Sequence, residues 1–122
     1  MGKSANDAIM DAALDETAAN ANQIHVCATE PTTRTEAVTT NQLASGTVNS
    51  GDFSKLNGDV SGRKQTCAAQ SALTIDNSGT ADHVAITSAT ILLIVTTCPG
   101  QVLTAAGTVD ISAFDQEIED PS

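Results

Sequence analysis

Residues 78–96 read SGTADHVAITSATILLIVT and contain the densest apolar run of the chain, at 91–95. Ahead of that run, Val84 and Ile86 alternate with smaller or more polar residues, as the two faces of a half-buried strand do. Ser88 lies between the two stretches. The pattern predicts two strands joined by a turn at or near Ser88, and the rest of the chain is expected to pack around this hairpin.

Short apolar stretches and turn residues alternate through much of the remaining sequence. Alternating residues predict further strands at 23–29, 63–75, 101–103 and 108–118. Turn-forming residues separate the later strands at 76–79, 98–100 and 104–107. The register of the last strand needs a slip near Ala113. About five to seven short strands at this spacing predict a mainly β fold, either a small antiparallel β-sandwich or a barrel.

The first 22 residues are predicted to form an N-terminal helical segment. Ser4 is a plausible N-cap, and Ile9, Met10 and Leu14 fall on one side at helical spacing. The opposite side carries a stripe of acidic residues, namely Asp7, Asp11 and Asp15. We interpret this stripe as a solvated face, and the alternative is a docking face for a basic partner.

Residues 23–122 are predicted to form a single β domain, within which 32–62 is the most polar part. This part is rich in Thr, Ser, Asn and Gly. It predicts an extended arm or long loop with short strand or turn pieces, which is either disordered or ordered by contact with something else. A short turn at 49–53 is expected to hold Phe53 as an anchor.

The composition limits what the core can bury and what the surface can bind. The chain has 122 residues, no Trp or Tyr, and only two Phe. Because aromatic side chains bury the most area per residue, the hydrophobic core is thin, and burial against neighbouring subunits would make up the deficit. The net charge of −10, with no Lys or Arg after Lys64, argues against nucleic-acid binding.

No pattern of residues points to an enzyme, a metal or a cofactor. Cys27, Cys67 and Cys98 are widely spaced, and we predict free, partly buried thiols, with one disulfide and one free cysteine as the alternative. His and Cys lack zinc-site spacing, and no nucleophile motif is present. The beginning of the sequence lacks the apolar region of a signal peptide, and the longest aliphatic run is too short to cross a membrane. We therefore expect a protein made in the cytoplasm that stays soluble until it meets a partner.

Several stretches together resemble small virion proteins of tailed bacteriophages and prophages. In order they are EPTT at 30–33, TEA at 35–37, SGRK at 61–64, GTADHVAI at 79–86, LLIVTT at 92–97, LTAAGTVDI at 103–111 and FDQEI at 114–118. The resemblance implies a β-rich, non-enzymatic structural protein, most simply a capsid decoration (cement) protein. Such proteins form oligomers, often trimers, on the head surface and bridge subunits of the major capsid protein.

Under this hypothesis, the apolar side of the helix or the 32–62 arm contacts the capsid. The candidate contact residues are Ile9, Met10, Leu14, Phe53 and Leu56. The alternative is a tail or tail-fibre component that recognises the host surface. Against it, glycan sites usually stack sugars on exposed aromatic side chains, and this chain has no Trp or Tyr.

Overall fold

A computed structural model describes residues 5–120 and confirms the mainly β fold with one N-terminal helix. About 49% of the residues are in strands, and all the sheets are antiparallel. The helix α1 spans Asp7–Asn20. The strands of the described chain are β1 Gln23–Cys27, β2 Gln42–Thr47, β3 Phe53–Asn57, β4 Arg63–Cys67, β5 Gln70–Thr74, β6 Gly79–Thr87, β7 Leu92–Leu103, β8 Thr108–Ile111 and β9 Phe114–Ile118.

The strands form three sheets, consistent with a small β-sandwich. The largest has the order β2-β1-β6-β7, the second has the order β3-β4-β9, and β5 pairs with β8 alone. Nine strands within residues 5–120 exceed the predicted five to seven, because two predicted strands divide and the polar 32–62 stretch contributes two more, while the strand predicted at 101–103 is part of β7.

The predicted hairpin is the β6–β7 pair. The Ser88 Oγ accepts hydrogen bonds from the backbone N–H groups of Thr90 and Ile91, which closes the turn between the strands. Because Ile91 belongs to this turn, it is 52% exposed and does not join the strand that follows it. The hairpin pairs through β6 with β1, and β1 in turn pairs with β2.

The turn predicted at 98–100 is wrong, because β7 continues through these residues to Leu103. Its register against β6 shifts: Ala81 pairs with Gln101, whereas His83 pairs with Thr97. The extra residues on β7 form a bulge that contains Pro99. Proline has no N–H to donate, and a bulge lets a strand include it without losing a regular ladder hydrogen bond.

Two predicted strands each divide between different sheets. The stretch 63–75 breaks after Cys67, so that β4 pairs with β3 and β9 while β5 pairs with β8. The stretch 108–118 likewise breaks between β8 and β9, where a register slip was predicted. In β5, Ala72 has a φ of 57°, and its N–H donates to the Asp110 carboxylate at 2.7 Å. This hydrogen bond holds an irregular strand that simple alternation does not reveal.

Residues 32–62 contain the predicted short strand and turn pieces, but these pieces fold into the domain and form no extended arm. They supply a short π-helical turn, Glu36–Thr40, then β2, a 3₁₀ turn at Ser50–Asp52, and β3. Leu43 and Val48 are buried in the main core. Few apolar residues are enough here because β2 lies against β1, which buries apolar side chains on both of its faces.

The helix is part of the same domain. It begins after Asn6, whose side chain accepts from the Ala8 N–H at 2.8 Å. Ser4, the predicted N-cap, lies outside the described residues. The buried side of the helix covers β4, where the Gln65 amide donates to the Leu14 carbonyl at 3.0 Å. Helix and sheet are therefore joined by a buried hydrogen bond as well as by apolar packing.

Candidate assembly surface

The outer edge of β7 is the longest open strand edge in the part of the chain that the structure describes. With 12 residues, β7 is the longest strand, and within residues 5–120 it pairs only with β6. The opposite edge of the same sheet is partly covered: the Leu43 carbonyl accepts from Asp76 and Asn77, and Ala44 forms a bridge with Ile75. An open edge offers unpaired N–H and C=O groups to another strand.

The β7 edge also has no charge. The sequence contains no Asp, Glu, Lys or Arg from Val84 to Val109, a stretch that includes all of β7. By contrast, the edge strand β3 carries Lys55, and the edge strand β9 carries Asp115 and Glu117. Edge charges discourage strands of other molecules from pairing. The strand β7 lacks this protection, as do the shorter edge strands β2 and β5, but the outer edge of β2 is partly covered.

Half-buried aliphatic side chains lie on both faces of β7. A one-residue register shift near Leu93 places Leu93 and Ile94 against the main core, while Leu92 and Val95 pack on the other face. There they contact a smaller cluster of buried residues, namely Cys27, Ala37 and Ala85. The aliphatic side chains of β7 are only partly covered because β7 has no neighbour on its outer side. A strand added there would bury them further.

A groove of about 380 Å³ lies beside the bulged half of β7, between this strand and the β8–β9 connection. The residues that line it are mainly apolar and include Val26, Val84, Thr96, Cys98, Ile111 and Phe114. Strand-addition sites combine an open edge for backbone hydrogen bonds with a pocket for alternate side chains. The edge and the groove together have this arrangement.

The predicted contact residues do not form one surface. Met10 and Leu14 are 3% and 0% exposed and belong to the interior, and Phe53 packs against the main core. Ile9 and Leu56 are 68% and 54% exposed and remain available to a partner. The predicted turn before Phe53 is present as a 3₁₀ turn, but it fixes the phenyl ring to the protein's own core.

The acidic stripe of the helix was interpreted as a solvated face, but two of its three carboxylates form ion pairs within the chain. Asp11 accepts from the Arg63 Nε at 2.9 Å, and Asp15 forms an ion pair with Lys55. The basic partner of this stripe is therefore the chain's own β3–β4 hairpin. The ion pairs are partly exposed, so they orient the helix more than they stabilise it.

Lys64 faces the outside of the three-stranded sheet, where it joins Asp59 at 2.7 Å and Asp115 at 3.2 Å. Asp115 also accepts from the Thr66 hydroxyl at 2.7 Å, and this hydrogen bond, with the nearby Lys64, lowers the pKa of the Asp115 carboxyl. Asp115 on β9 is therefore an acidic residue that helps to hold β9 and β4 together. The remaining carboxylates leave a surplus of negative charge on the surface.

His25 and Cys27 lie on the face of β1 that the 36–40 turn covers, and both are fully buried. The His25 Nδ1 donates to the Gln42 amide oxygen at 2.7 Å, and its Nε2 accepts from the Thr87 hydroxyl at 2.9 Å. Burial lowers the pKa of the His25 imidazole, although the hydrogen bond to Gln42 opposes the shift. His25 is a neutral structural residue that links β1 to both of its neighbours.

The three cysteines are free thiols, as predicted. Burial raises the pKa of both Cys27 and Cys67 to about 11, with smaller contributions from Asp82 and Asp52 respectively. Cys98 is half-buried in the β7 bulge, and burial also raises the pKa of its thiol. Neither buried cysteine has the low pKa that nucleophilic thiols require.

Within residues 5–120, His, Cys, Asp and Glu side chains form no group of three or more that could hold a metal ion. Over the same residues, no helix has the length and apolar character needed to cross a membrane. The feature that sequence reasoning missed is the edge position of β7. Its signal was the uncharged run from Val84 to Val109, which was divided among the central hairpin, two turns and a short strand.

Comparison of the chain with protein-family models, with curated proteins and with solved structures gives no match.

Proposed function

We propose that this protein is a non-enzymatic structural protein of a bacteriophage virion, a capsid decoration (cement) protein. It is made in the host cytoplasm, oligomerises on the head surface and stabilises the lattice of the major capsid protein. The single observation that carries the proposal is the open, uncharged edge of β7, because an unprotected edge of this length is suited to permanent assembly.

The thin core and the charge distribution support the same function. Because the main core contains only partly buried Phe53 and Phe114 as its aromatic residues, burial in an assembly would add stability that the isolated domain lacks. The surplus of carboxylates keeps the outer surface away from the packaged DNA. Ile9 and Leu56, which lie on different elements, are exposed side chains that could contact the major capsid protein.

Imaging of purified particles tests the proposal directly. Cryo-electron microscopy of the phage or induced prophage that encodes this chain should place its density on the outside of the head lattice. Density confined to the tail would contradict cementing and favour the host-recognition alternative. Absence of the chain from purified particles would contradict both functions.

Gene deletion tests the stabilising action. Particles that lack the protein should release their DNA at a lower temperature, and adding the purified protein should restore the original value. A matched pair of variants then examines the contacts: Ile9→Glu and Leu56→Glu each change one exposed side chain and leave the core intact. Full head occupancy by both variants would contradict the role assigned to these two residues.

A further inference from the structure

We propose that the open edge of β7 pairs with β7 of a second copy, antiparallel and about a two-fold axis, to join two four-stranded sheets into one of eight strands. This inference rests on the proposed assembly function and names the partner that the β7 edge binds. The central segment of the proposed β7–β7 pair is Ile94–Thr97. Two-fold dimers are the commonest closed assemblies, and their interfaces are self-complementary.

The charge distribution favours the β7 edge as the place where two copies of the chain meet. The chain carries 15 acidic and 5 basic residues, so two copies repel each other over most of their surfaces. Within the described residues, Lys55, Arg63 and Lys64 are engaged by the chain's own carboxylates and offer little attraction to a neighbour. The stretch from Val84 to Val109 has no Asp, Glu, Lys or Arg, so pairing through β7 brings no like charges of this stretch together.

The register of β7 identifies the segment that pairs. Ile94, Val95, Thr96 and Thr97 pair without interruption with β6, and irregularities bound this segment at Leu93 and at the Pro99 bulge. All four residues are β-branched and therefore suited to a regular ladder. An axis between Val95 and Thr96 sets Ile94 opposite Thr97 of the second copy.

Side chains on both faces of this segment gain cover in the dimer. Ile94 lies beside the main core and Val95 beside the smaller cluster, and both are half-buried in the single chain. Cross-strand contacts between β-branched residues stabilise antiparallel pairs. The twofold symmetry predicts a dimer, which differs from the trimer that the phage resemblance implies.

The test compares one substitution at the two edges of the same sheet. Thr97 on β7 and Thr47 at the end of β2 are both exposed in the single chain, so Thr97→Glu and Thr47→Glu should both fold. Because the axis repeats the change, Thr97→Glu adds two carboxylates to the interface. We expect sedimentation equilibrium to give a dimer whose dissociation constant rises about tenfold in Thr97→Glu and stays unchanged in Thr47→Glu.

Hydrogen exchange locates the interface independently of any variant. Amides of Ile94–Thr97 that face outward should become protected as the protein concentration is raised through the dissociation constant. A protein that stays monomeric at about 200 µM, a trimer, or a dimer protected elsewhere would overturn the pairing. A monomer that still decorates heads overturns only this inference, and a β7 dimer absent from particles overturns only the proposed function.

Discussion

The substitution Leu14→Ala tests whether the N-terminal helix is an integral part of the domain or a contact arm. Leu14 is 0% exposed, and its carbonyl accepts the buried Gln65 amide. Truncation removes three carbon groups worth about 0.8 kcal/mol each, and the cavity left behind adds to the loss. We expect the free energy of unfolding to fall by about 3 kcal/mol, a large part of the stability of a domain of this size.

Urea denaturation followed by far-ultraviolet circular dichroism measures this change, because the chain has no Trp or Tyr to report by fluorescence. With an m-value of about 1.5 kcal/mol/M, the midpoint should fall by about 2 M. For Leu14→Met, which conserves the side-chain volume, the free energy of unfolding should fall by less than about 1.5 kcal/mol. Ile9→Ala, at a side chain that is 68% exposed, should change the stability by no more than about 0.5 kcal/mol.

A Leu14→Ala variant as stable as Ile9→Ala would refute the reasoning. In that case the helix would not be packed on β4 in solution, and Leu14 would again be available to contact a capsid protein. If the free energy of unfolding falls by about 3 kcal/mol in Leu14→Ala and not in Ile9→Ala, Leu14 is a core residue, and Ile9 is the predicted contact residue of this helix that can bind a partner.

Three other predictions follow from buried or strained positions. Burial lowers the His25 pKa below its unfolded value of 6.5, so the unfolded chain takes up the proton first as the pH drops below 6.5. Stability should then fall by up to about 1.4 kcal/mol per pH unit, and His25→Gln should remove this contribution, as urea denaturation at a series of pH values would record. Gly62 has a φ of 73°, and an added Cβ would meet the Ile118 carbonyl, so Gly62→Ala should lower the free energy of unfolding by about 2 kcal/mol or more in urea denaturation. Cys98 is half-buried whereas Cys27 is 0% exposed, so a thiol reagent should modify Cys98 in the native protein well before Cys27, as peptide mass mapping would record.

Each of these predictions has an outcome that would contradict it. A pH slope that persists unchanged in His25→Gln would contradict the assignment to His25. Gly100 has open space around an added Cβ, so Gly100→Ala should be nearly neutral; equal losses at the two glycines would remove the argument from backbone conformation. Faster modification of the Cys27 thiol than of the Cys98 thiol would show that β1 is accessible from outside.

The elements whose signals are local could be predicted from the sequence alone. The β6–β7 hairpin, the helix and the turn before Phe53 each depend on residues that are close in the chain. Apolar periodicity and turn chemistry act over a few residues, which is why these elements are visible without a structure. The mainly β fold follows from the number of such signals.

The tertiary structure decided which of these elements become neighbours. Gln65 and Leu73 were predicted on one strand but lie in different sheets, and the helix carboxylate Asp11 meets Arg63, 52 residues away. The candidate assembly surface also depends on the tertiary structure. The sequence shows that β7 is uncharged, but only the strand order shows that β7 is an open edge. Whether a strand lies at an edge depends on how all the other strands of the sheet pair. Those long-range pairings cannot be recognised from local composition, because a strand has the same residues whether its outer side faces another strand or water.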